Sequence, residues 1–188
     1  MKFERIGGSD ARLIRFAQMR DERGSFARVW CADTFRHEGI DFTPVQANTS
    51  STLQRGSLRG MHYQRAPRED AKIVRCSLGR IHDVIVDLRE TSPTRGRWFA
   101  QELSDENGLG LYIPGGFAHG FQTLTDHVVV EYLMGESYVP ELYDGFRHDD
   151  ASIGIEWPLP VASMSDKDRA WPDLLPRLPW LGAAGAKS

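Results

Sequence analysis

Short runs of β-branched and aromatic residues recur along this chain, and glycine, proline or charged residues interrupt them. Runs of this length between turn residues are typical of antiparallel β-strands. The pattern predicts seven strands, at residues 27–30, 73–77, 81–88, 98–103, 110–113, 120–124 and 128–134.

The segment 81–88, IHDVIVDL, shows what kind of sheet to expect. Alternation along an extended chain places Val84 and Val86 on one face and Asp83 and Ile85 on the other. A strand that is apolar on both faces is expected to have other parts of the protein packed against each face. The segment is therefore predicted to be an internal strand of a layered sheet.

Helical patterns are few and short. They predict about one or two turns at residues 34–38 and again at 105–110, where Ser104 is a candidate N-cap. A mostly β chain must close or stack its sheets to protect their edges. We therefore predict an antiparallel jelly-roll barrel with a few short helices. Residues 1–188 are expected to form a single domain, with a proline-rich tail from about residue 171.

Composition narrows the class of protein. A chain of 188 residues with 40% hydrophobic content suffices for one domain. The net charge is -3 and the basic residues are scattered, which argues against a nucleic-acid partner. Apolar runs stay below the roughly 18 residues of a membrane span, and the N-terminus is too polar for a signal peptide. These features predict a cytoplasmic protein that binds a small molecule, with no membrane partner.

Candidate chemistry lies in two glycine-bounded segments and one isolated lysine. The segments are GSLRGMHYQ at 56–64 and IPGGFAHGF at 113–121. Alternation places His62 opposite Tyr63, and Lys72 shares a face with Val74, so an inward Lys72 needs an anionic partner or a ligand. A histidine base with nearby cations suits proton removal beside a carbonyl. A buried His62 bonded to a backbone carbonyl remains an alternative.

Several motifs occur together in one order: QANTSS, GSLRGMHYQ, AKIVRC, IHDVIVDLR, SPTRGRW, LYIPGGFAHGFQTL and MSDKD. In these motifs the chain resembles the dTDP-4-dehydrorhamnose 3,5-epimerase family over about residues 21–168. The resemblance implies a cupin-type jelly roll that works as a homodimer without a metal or an organic cofactor. It implies epimerisation of a nucleotide-linked 4-keto-6-deoxyhexose at carbons 3 and 5.

The resemblance also assigns catalytic roles. His62 matches the base, and Asp168 matches the carboxylate that pairs with it. Lys72 falls where the family stabilises the enolate. Tyr132 matches the acid on the opposite face, and a phenol suits this role because it is neutral at pH 7. Taken alone, Tyr132 also fits a tyrosine in the core of a strand.

Substrate contacts follow from the same resemblance. Arg23 and Arg59 are expected near the phosphates, because a guanidinium can bind two oxygens at once. In this family the N-terminal third lends residues to the partner's site. The remaining matches are Gln46, Asn48 and His119 for sugar and phosphate, Tyr138 for stacking on the base, and Lys167 beside Tyr138.

Metal binding is not expected. Cupin-type jelly rolls that bind a metal use a His-x-His pair, and Gln64 stands where the second histidine would be. A metal-dependent cupin enzyme nevertheless remains an alternative function, as do a carbon-3-only epimerase and a non-catalytic sugar-nucleotide binding protein.

Three positions depart from the family pattern. Arg28 and Tyr143 stand where the family usually has glutamate, and His148 lies in a segment that commonly reads Gly-x-x-Trp-Asn-Asp. The expected acid–base residues are retained, so the departures bear on the identity of the substrate.

Overall fold

Two antiparallel β-sheets face each other in the computed structural model, which describes residues 1–175, 177 and 178. The six-stranded sheet has the order β1 (Lys2–Arg5), β2 (Arg12–Arg15), β10 (Leu109–Ile113), β7 (Lys72–Leu78), β12 (Val128–Met134) and β5 (Gln46–Thr52). The five-stranded sheet has the order β13 (Tyr143–Gly145), β6 (Leu58–Gln64), β11 (Phe117–Thr123), β8 (Arg80–Asp87) and β9 (Trp98–Ser104).

The remaining elements lie outside these two sheets. The hairpin of β3 (Gln18–Asp21) and β4 (Gly24–Ala27) forms a separate two-stranded sheet. The helices are α1 (Ala32–His37) and α2 (Asp166–Arg169). The prediction of a mostly β, antiparallel jelly-roll fold with a few short helices is confirmed. No described helix is long and apolar enough to cross a membrane.

The core has a central layer and two outer layers. Ile85 of β8 packs between the sheets with Val74 of β7, while Val84 and Val86 pack on the outer face with Phe146. The alternation predicted for residues 81–88 is therefore confirmed, and β8 has apolar contacts on both faces. A third hydrophobic cluster, around Phe35, packs α1 against the outer face of the six-stranded sheet; it is called the third cluster below.

Two predicted elements are wrong. The segment 27–30 is not a strand, because Ala27 ends β4 and the chain then leads irregularly into α1. Val29 and Trp30 bury their apolar surface against the third cluster from this irregular segment, so their hydrophobicity reflects packing.

The segment predicted as a helix at 105–110 consists of a tight turn at 105–108 and the first two residues of β10. Ser104 Oγ accepts a hydrogen bond from Asn107 N at 3.1 Å, and Asn107 Oδ1 accepts one from Ser104 N at 3.2 Å. These reciprocal bonds resemble a helix cap, but Gly108 has a positive φ of 62° and returns the chain into β10.

The other predicted elements differ from the observed ones mainly at their ends. The helix predicted at 34–38 is α1, and the strand predicted at 120–124 is β11, which begins three residues earlier. The pattern does not predict the edge strands β1, β5 and β13, whose residues are largely polar, and it also does not predict β2, β3 and β6. The tail expected from about residue 171 includes a buried residue, Leu174, and residues 176 and 179–188 lie outside the described residues.

Candidate active site

A cavity of about 730 Å³ opens between the two sheets. A volume of this size is typical of a site for a small organic ligand. Ten of the eleven residues predicted from the sequence line it: His62, Lys72, Tyr132, Asp168, Gln46, Asn48, Arg59, His119, Tyr138 and Lys167. The structure therefore brings together positions that are as far apart in the sequence as Gln46 and Asp168.

His62 and Asp168 form a close pair at one side of this cavity. His62 Nε2 lies 2.6 Å from Asp168 Oδ1, and Gly60 N donates to the other oxygen at 3.4 Å. Burial by itself raises the pKa of Asp168, but the bonds from His62 and Gly60 outweigh it, so this pKa lies below its ordinary value. The anionic carboxylate binds Nε2–H, which leaves Nδ1 of His62 as the nitrogen able to accept a proton.

Glycine at position 60 allows the strands that carry the two cavity histidines to approach closely. A Cβ on Gly60 would lie 2.6 Å from the Cα of Gly120, and Gly60 has a φ of +127°. At this point β6 pairs with β11, and His62 is the direct partner of His119 in the register. Both imidazoles consequently line the same cavity.

His119 has its own carboxylate partner. Its Nε2 lies 2.9 Å from Oδ2 of Asp83, a β8 residue that is completely buried. The His119 ring contacts the Tyr132 ring edge to face, with centroids 6.1 Å apart. The site analysis of the sequence missed Asp83, although the alternation of β8 places this carboxylate on an apolar inner face, where it requires a partner.

Tyr132 reaches the cavity from β12 of the six-stranded sheet. Burial raises the pKa of its phenol, and the negative charge of Asp83 raises it further, while Arg59 has the opposite effect. The phenol is therefore neutral at pH 7 and able to donate its proton.

Lys72, at the start of β7, is only 5% exposed. Its Nζ lies 2.8 Å from Asp70 Oδ2, which is the anionic partner that an inward lysine requires. Asp70 also lines the cavity and was missed, although it stands two residues before Lys72 and alternation places it on the same face.

Polar side chains cover the wall formed by β5 and β6. Gln46 Nε2 donates to Asn48 Oδ1 at 3.0 Å. Arg59 Nε donates to Thr52 Oγ1 at 3.0 Å, and its Nη2 donates to Ser51 O at 3.1 Å. These bonds fix the Arg59 guanidinium at the cavity wall, where its positive charge suits an anionic ligand.

Aromatic rings form the opposite end of the cavity. Tyr143 is their centre: its ring centroid lies 5.3 Å from that of Tyr138, 5.4 Å from that of His62 and 6.3 Å from that of Trp171. Lys167 Nζ lies 4.4 Å from the Tyr143 centroid, within the range of a cation–π interaction. Burial raises the pKa of Tyr143, with a further contribution from Asp168. This end therefore combines flat apolar surfaces with one cation.

Gln64, which replaces a metal-binding histidine of other cupins, has a structural role. Its Nε2 donates to Ser137 O at 3.1 Å, and its Oε1 accepts from Val139 N at 2.8 Å. These bonds hold the segment on either side of Tyr138. Among the described residues, no group of three His, Cys, Asp or Glu side chains is placed to hold a metal ion.

Arg23 is the predicted residue that the single chain does not bring to the cavity. It lies on the turn of the β3–β4 hairpin with its side chain 83% exposed, and it pairs with Asp21 at 2.6 Å. Of the three departures from the family pattern, only Tyr143 lines the cavity. Arg28 is exposed after the hairpin, and the carbonyl of His148 accepts a hydrogen bond from Trp157 Nε1.

Comparison with known proteins agrees with this geometry. The sequence model of the dTDP-4-dehydrorhamnose 3,5-epimerase family matches residues 8–175. The dTDP-4-dehydrorhamnose 3,5-epimerase of Sinorhizobium fredii is 41% identical over 175 residues, which cover 93% of this chain and 90% of the relative.

Solved structures give the same result. The Bacillus anthracis dTDP-4-dehydrorhamnose 3,5-epimerase, with TDP and PPi bound, has a TM-score of 0.89 and 36% identity, covering 92% of this chain and 99% of that one. The Legionella pneumophila dTDP-6-deoxy-D-glucose-3,5-epimerase, in complex with dTDP-4-keto-L-rhamnose, has a TM-score of 0.87 and 35% identity, covering 92% of each chain. Because both the family match and these identities span most of the chain, this protein belongs to the dTDP-4-dehydrorhamnose 3,5-epimerase family of isomerases.

Proposed function

We propose that this protein epimerises a dTDP-linked 4-keto-6-deoxyhexose at carbons 3 and 5, as a step of deoxysugar biosynthesis of the dTDP-rhamnose type. The ketone at carbon 4 acidifies the hydrogens on both neighbouring carbons. Proton removal and return therefore need no organic cofactor and no metal.

The observation that carries the proposal is the placement of the candidate base and acid on opposing sheets. His62 lies on β6 of the five-stranded sheet, and Tyr132 lies on β12 of the six-stranded sheet, with the cavity between them. A sugar ring bound between the sheets presents one face to the imidazole and the other to the phenol. Inversion requires this arrangement, because the proton must return from the face opposite to the one it left.

Each epimerisation then consists of two proton transfers. The C–H bond breaks as its proton passes to His62 Nδ1, and the electron pair moves onto the carbon 4 oxygen to form an enolate. The Lys72 ammonium stabilises this negative charge. The enolate then collapses, and carbon receives the Tyr132 proton on its other face. Exchange with solvent returns His62 to its neutral form and Tyr132 to the phenol.

Binding of the nucleotide is assigned to the remaining side chains. Tyr138 provides an exposed ring for stacking on the base, with Lys167 at the same end of the cavity, and Arg59 is a cation for the diphosphate. Gln46 and Asn48 provide amide groups for the sugar and phosphate oxygens. Because a nucleotide diphosphate is charged and is produced inside cells, we place the protein in the cytoplasm.

A homodimer is also part of the proposal. The β3–β4 hairpin exposes two large apolar side chains that are direct cross-strand partners, Met19 at 62% and Phe26 at 64%. Strand β5 is an edge of its sheet and is flanked by the exposed Val45 and Leu53. Packing of the hairpin on a second copy buries this apolar surface and brings Arg23 to the partner's cavity.

The decisive experiment incubates the protein with dTDP-4-keto-6-deoxyglucose in deuterated water. Proton NMR follows the signals of the hydrogens on carbons 3 and 5. Loss of both signals, abolished by His62→Ala, is the expected result. Loss at carbon 3 alone would identify a carbon-3 epimerase. Binding without any exchange would identify a sugar-nucleotide binding protein, and loss of activity on chelation would favour a metal-dependent enzyme.

A further inference from the structure

A single carboxylate connects the strand of the proposed base with the lysine of the proposed enolate site. Asp70 Oδ2 lies 2.8 Å from Lys72 Nζ. Its other oxygen accepts a hydrogen bond from the backbone N–H of Gln64 at 3.2 Å. Gln64 stands two residues after His62 on β6, whereas Lys72 begins β7 of the opposite sheet. Asp70 therefore links the two sheets at the wall of the cavity.

The other carboxylates around the cavity have different partners. Asp168 binds His62 at 2.6 Å and Asp83 binds His119 at 2.9 Å. Glu136, in the segment after β12, binds Arg68 at 2.6 Å. Within the described part of the chain, Asp70 is the one carboxylate that forms a salt bridge with Lys72.

The other cations of the cavity are also held elsewhere. Arg59 is bonded to Thr52 and Ser51, and Lys167 lies over Tyr143. Since a lysine side chain has four rotatable bonds, the location of the Lys72 ammonium depends on Asp70.

From these contacts we propose that Asp70 is a positioning residue for the epimerisation: it fixes the Lys72 ammonium relative to His62, so that the ammonium meets the carbon 4 oxygen as negative charge develops there. The proposal rests on the proposed function. In this role Asp70 neither takes a proton from the substrate nor bonds to it. Its effect is therefore expected in the chemical step and only through Lys72.

A double-mutant cycle tests this dependence. The variants are Asp70→Asn, Lys72→Met and the double variant, and single-turnover deuterium wash-out is followed by NMR over hours so that slow variants remain measurable. Asp70→Asn keeps the size of the side chain and its acceptor for Gln64 N–H but removes its charge. Glu131→Gln is the matched control. Glu131 lies on β12 and forms an ion pair at 2.7 Å with Arg75, which is on β7 like Lys72, and Glu131 does not line the cavity.

We expect Asp70→Asn to slow wash-out by about tenfold or more in the otherwise unchanged protein. In the Lys72→Met background the same substitution is expected to change the rate by less than about twofold, because the group it acts through is gone. The affinity for dTDP is expected to stay constant, and Glu131→Gln to match the unsubstituted protein.

Two results would overturn the proposal. One is an equal loss from Asp70→Asn in both backgrounds, and the other is a loss of dTDP affinity that accounts for the slower wash-out. If Asp70→Asn does not fold, Asp70→Glu replaces it in the same cycle, since the longer side chain keeps the charge and displaces the ammonium. Absence of wash-out in the unsubstituted protein would reject the proposed function itself. This result is distinguishable from failure of the Asp70 proposal, in which the unsubstituted protein remains active.

Discussion

His62 and Tyr132 face one cavity from opposite sheets of the barrel. The first is held by Asp168 at 2.6 Å, and the second is a phenol whose pKa is raised by burial. In the proposed reaction, a planar enolate between them receives its proton from the side opposite to the one that lost it. The stereochemical outcome thus depends on the packing of the sheets more than on either residue alone.

Substitution of Tyr132 by phenylalanine separates exchange from inversion. The imidazole of His62 still removes and returns a proton on its own face, so deuterium enters the substrate with retained configuration. Formation of the epimer is expected to slow by about 100-fold or more, because the acid of the other face is lost. Proton NMR of the sugar in deuterated water distinguishes labelled substrate from product.

Equal loss of labelling and of product in Tyr132→Phe would contradict this division of roles. A matched control is Tyr112→Phe, a buried tyrosine of the third cluster that does not line the cavity. Its epimerisation rate is expected to match that of the unsubstituted protein.

Asp168→Asn tests the orientation of the proton on His62. The carboxylate accepts from Nε2–H and leaves Nδ1 free, whereas an amide can donate to Nε2 and favour the tautomer with a proton on Nδ1. We expect kcat to fall by about 10³-fold or more with little change in dTDP affinity. Steady-state kinetics and calorimetric titration with dTDP measure the two quantities, and a change in affinity alone would point to a binding role for Asp168.

Mixing two inactive variants tests whether Arg23 acts across a dimer. Arg23→Ala protein retains His62, and His62→Asn protein retains Arg23. In a mixed dimer the site with the intact His62 faces the intact Arg23 of the partner, so activity returns on mixing if Arg23 acts in the partner's site. The assay measures epimerisation before and after equilibration of the two proteins, and sedimentation measures the dimer directly. If mixing restores no activity although mixed dimers form, Arg23 does not act across the interface.

The aromatic end of the cavity is expected to contribute to the affinity for the nucleotide. Tyr138→Ala removes the exposed ring and is expected to weaken dTDP binding by about tenfold, which corresponds to the loss of one stacking contact. Tyr143→Phe keeps the ring that contacts Tyr138, His62 and Trp171, so it is expected to bind dTDP within about twofold of the unsubstituted protein. Titration calorimetry compares them, and a larger effect from Tyr143→Phe would instead assign the Tyr143 hydroxyl to ligand binding.

His82 is expected to make the stability of the fold depend on pH. Burial lowers the pKa of this histidine below its ordinary value, although Asp83 and Glu102 act in the opposite direction, and its buried Nε2 has no hydrogen-bond partner among the described residues. As the pH falls below about 6.5, the unfolded chain binds a proton at His82 that the folded chain does not, so the free energy of unfolding decreases.

His82→Leu is therefore expected to reduce the loss of stability between pH 7.5 and pH 5.5. Urea unfolding at both pH values measures this difference, with His37→Gln, a substitution of an exposed histidine in α1, as the control. An unchanged difference in His82→Leu would show that other groups cause the acid sensitivity.

The local pattern predicted several strands of the two sheets but not β6, although β6 is an internal strand. Residues 128–134 form a strand with these bounds, and residues 81–88 differ from β8 by one position at each end. Both segments are apolar on two faces, so their signal does not depend on their neighbours. The edge strand β5 carries no such signal, because polar residues cover it and only pairing with β12 defines it as a strand.

The sequence by itself determined the jelly-roll class and the resemblance to the epimerase family, and through that resemblance it indicated ten of the residues that line the cavity. Alternation is a property of neighbouring positions, and the motifs and their order are visible along the chain, so neither requires knowledge of the contacts between the sheets. The tertiary structure decided the pairing of Asp70 with Lys72, the pairing of Asp83 with His119, and the place of Arg23 outside its own cavity. These relationships depend on strand register and on the approach of two sheets, and burial then forces each charge to find a partner among whatever groups that packing brings within reach.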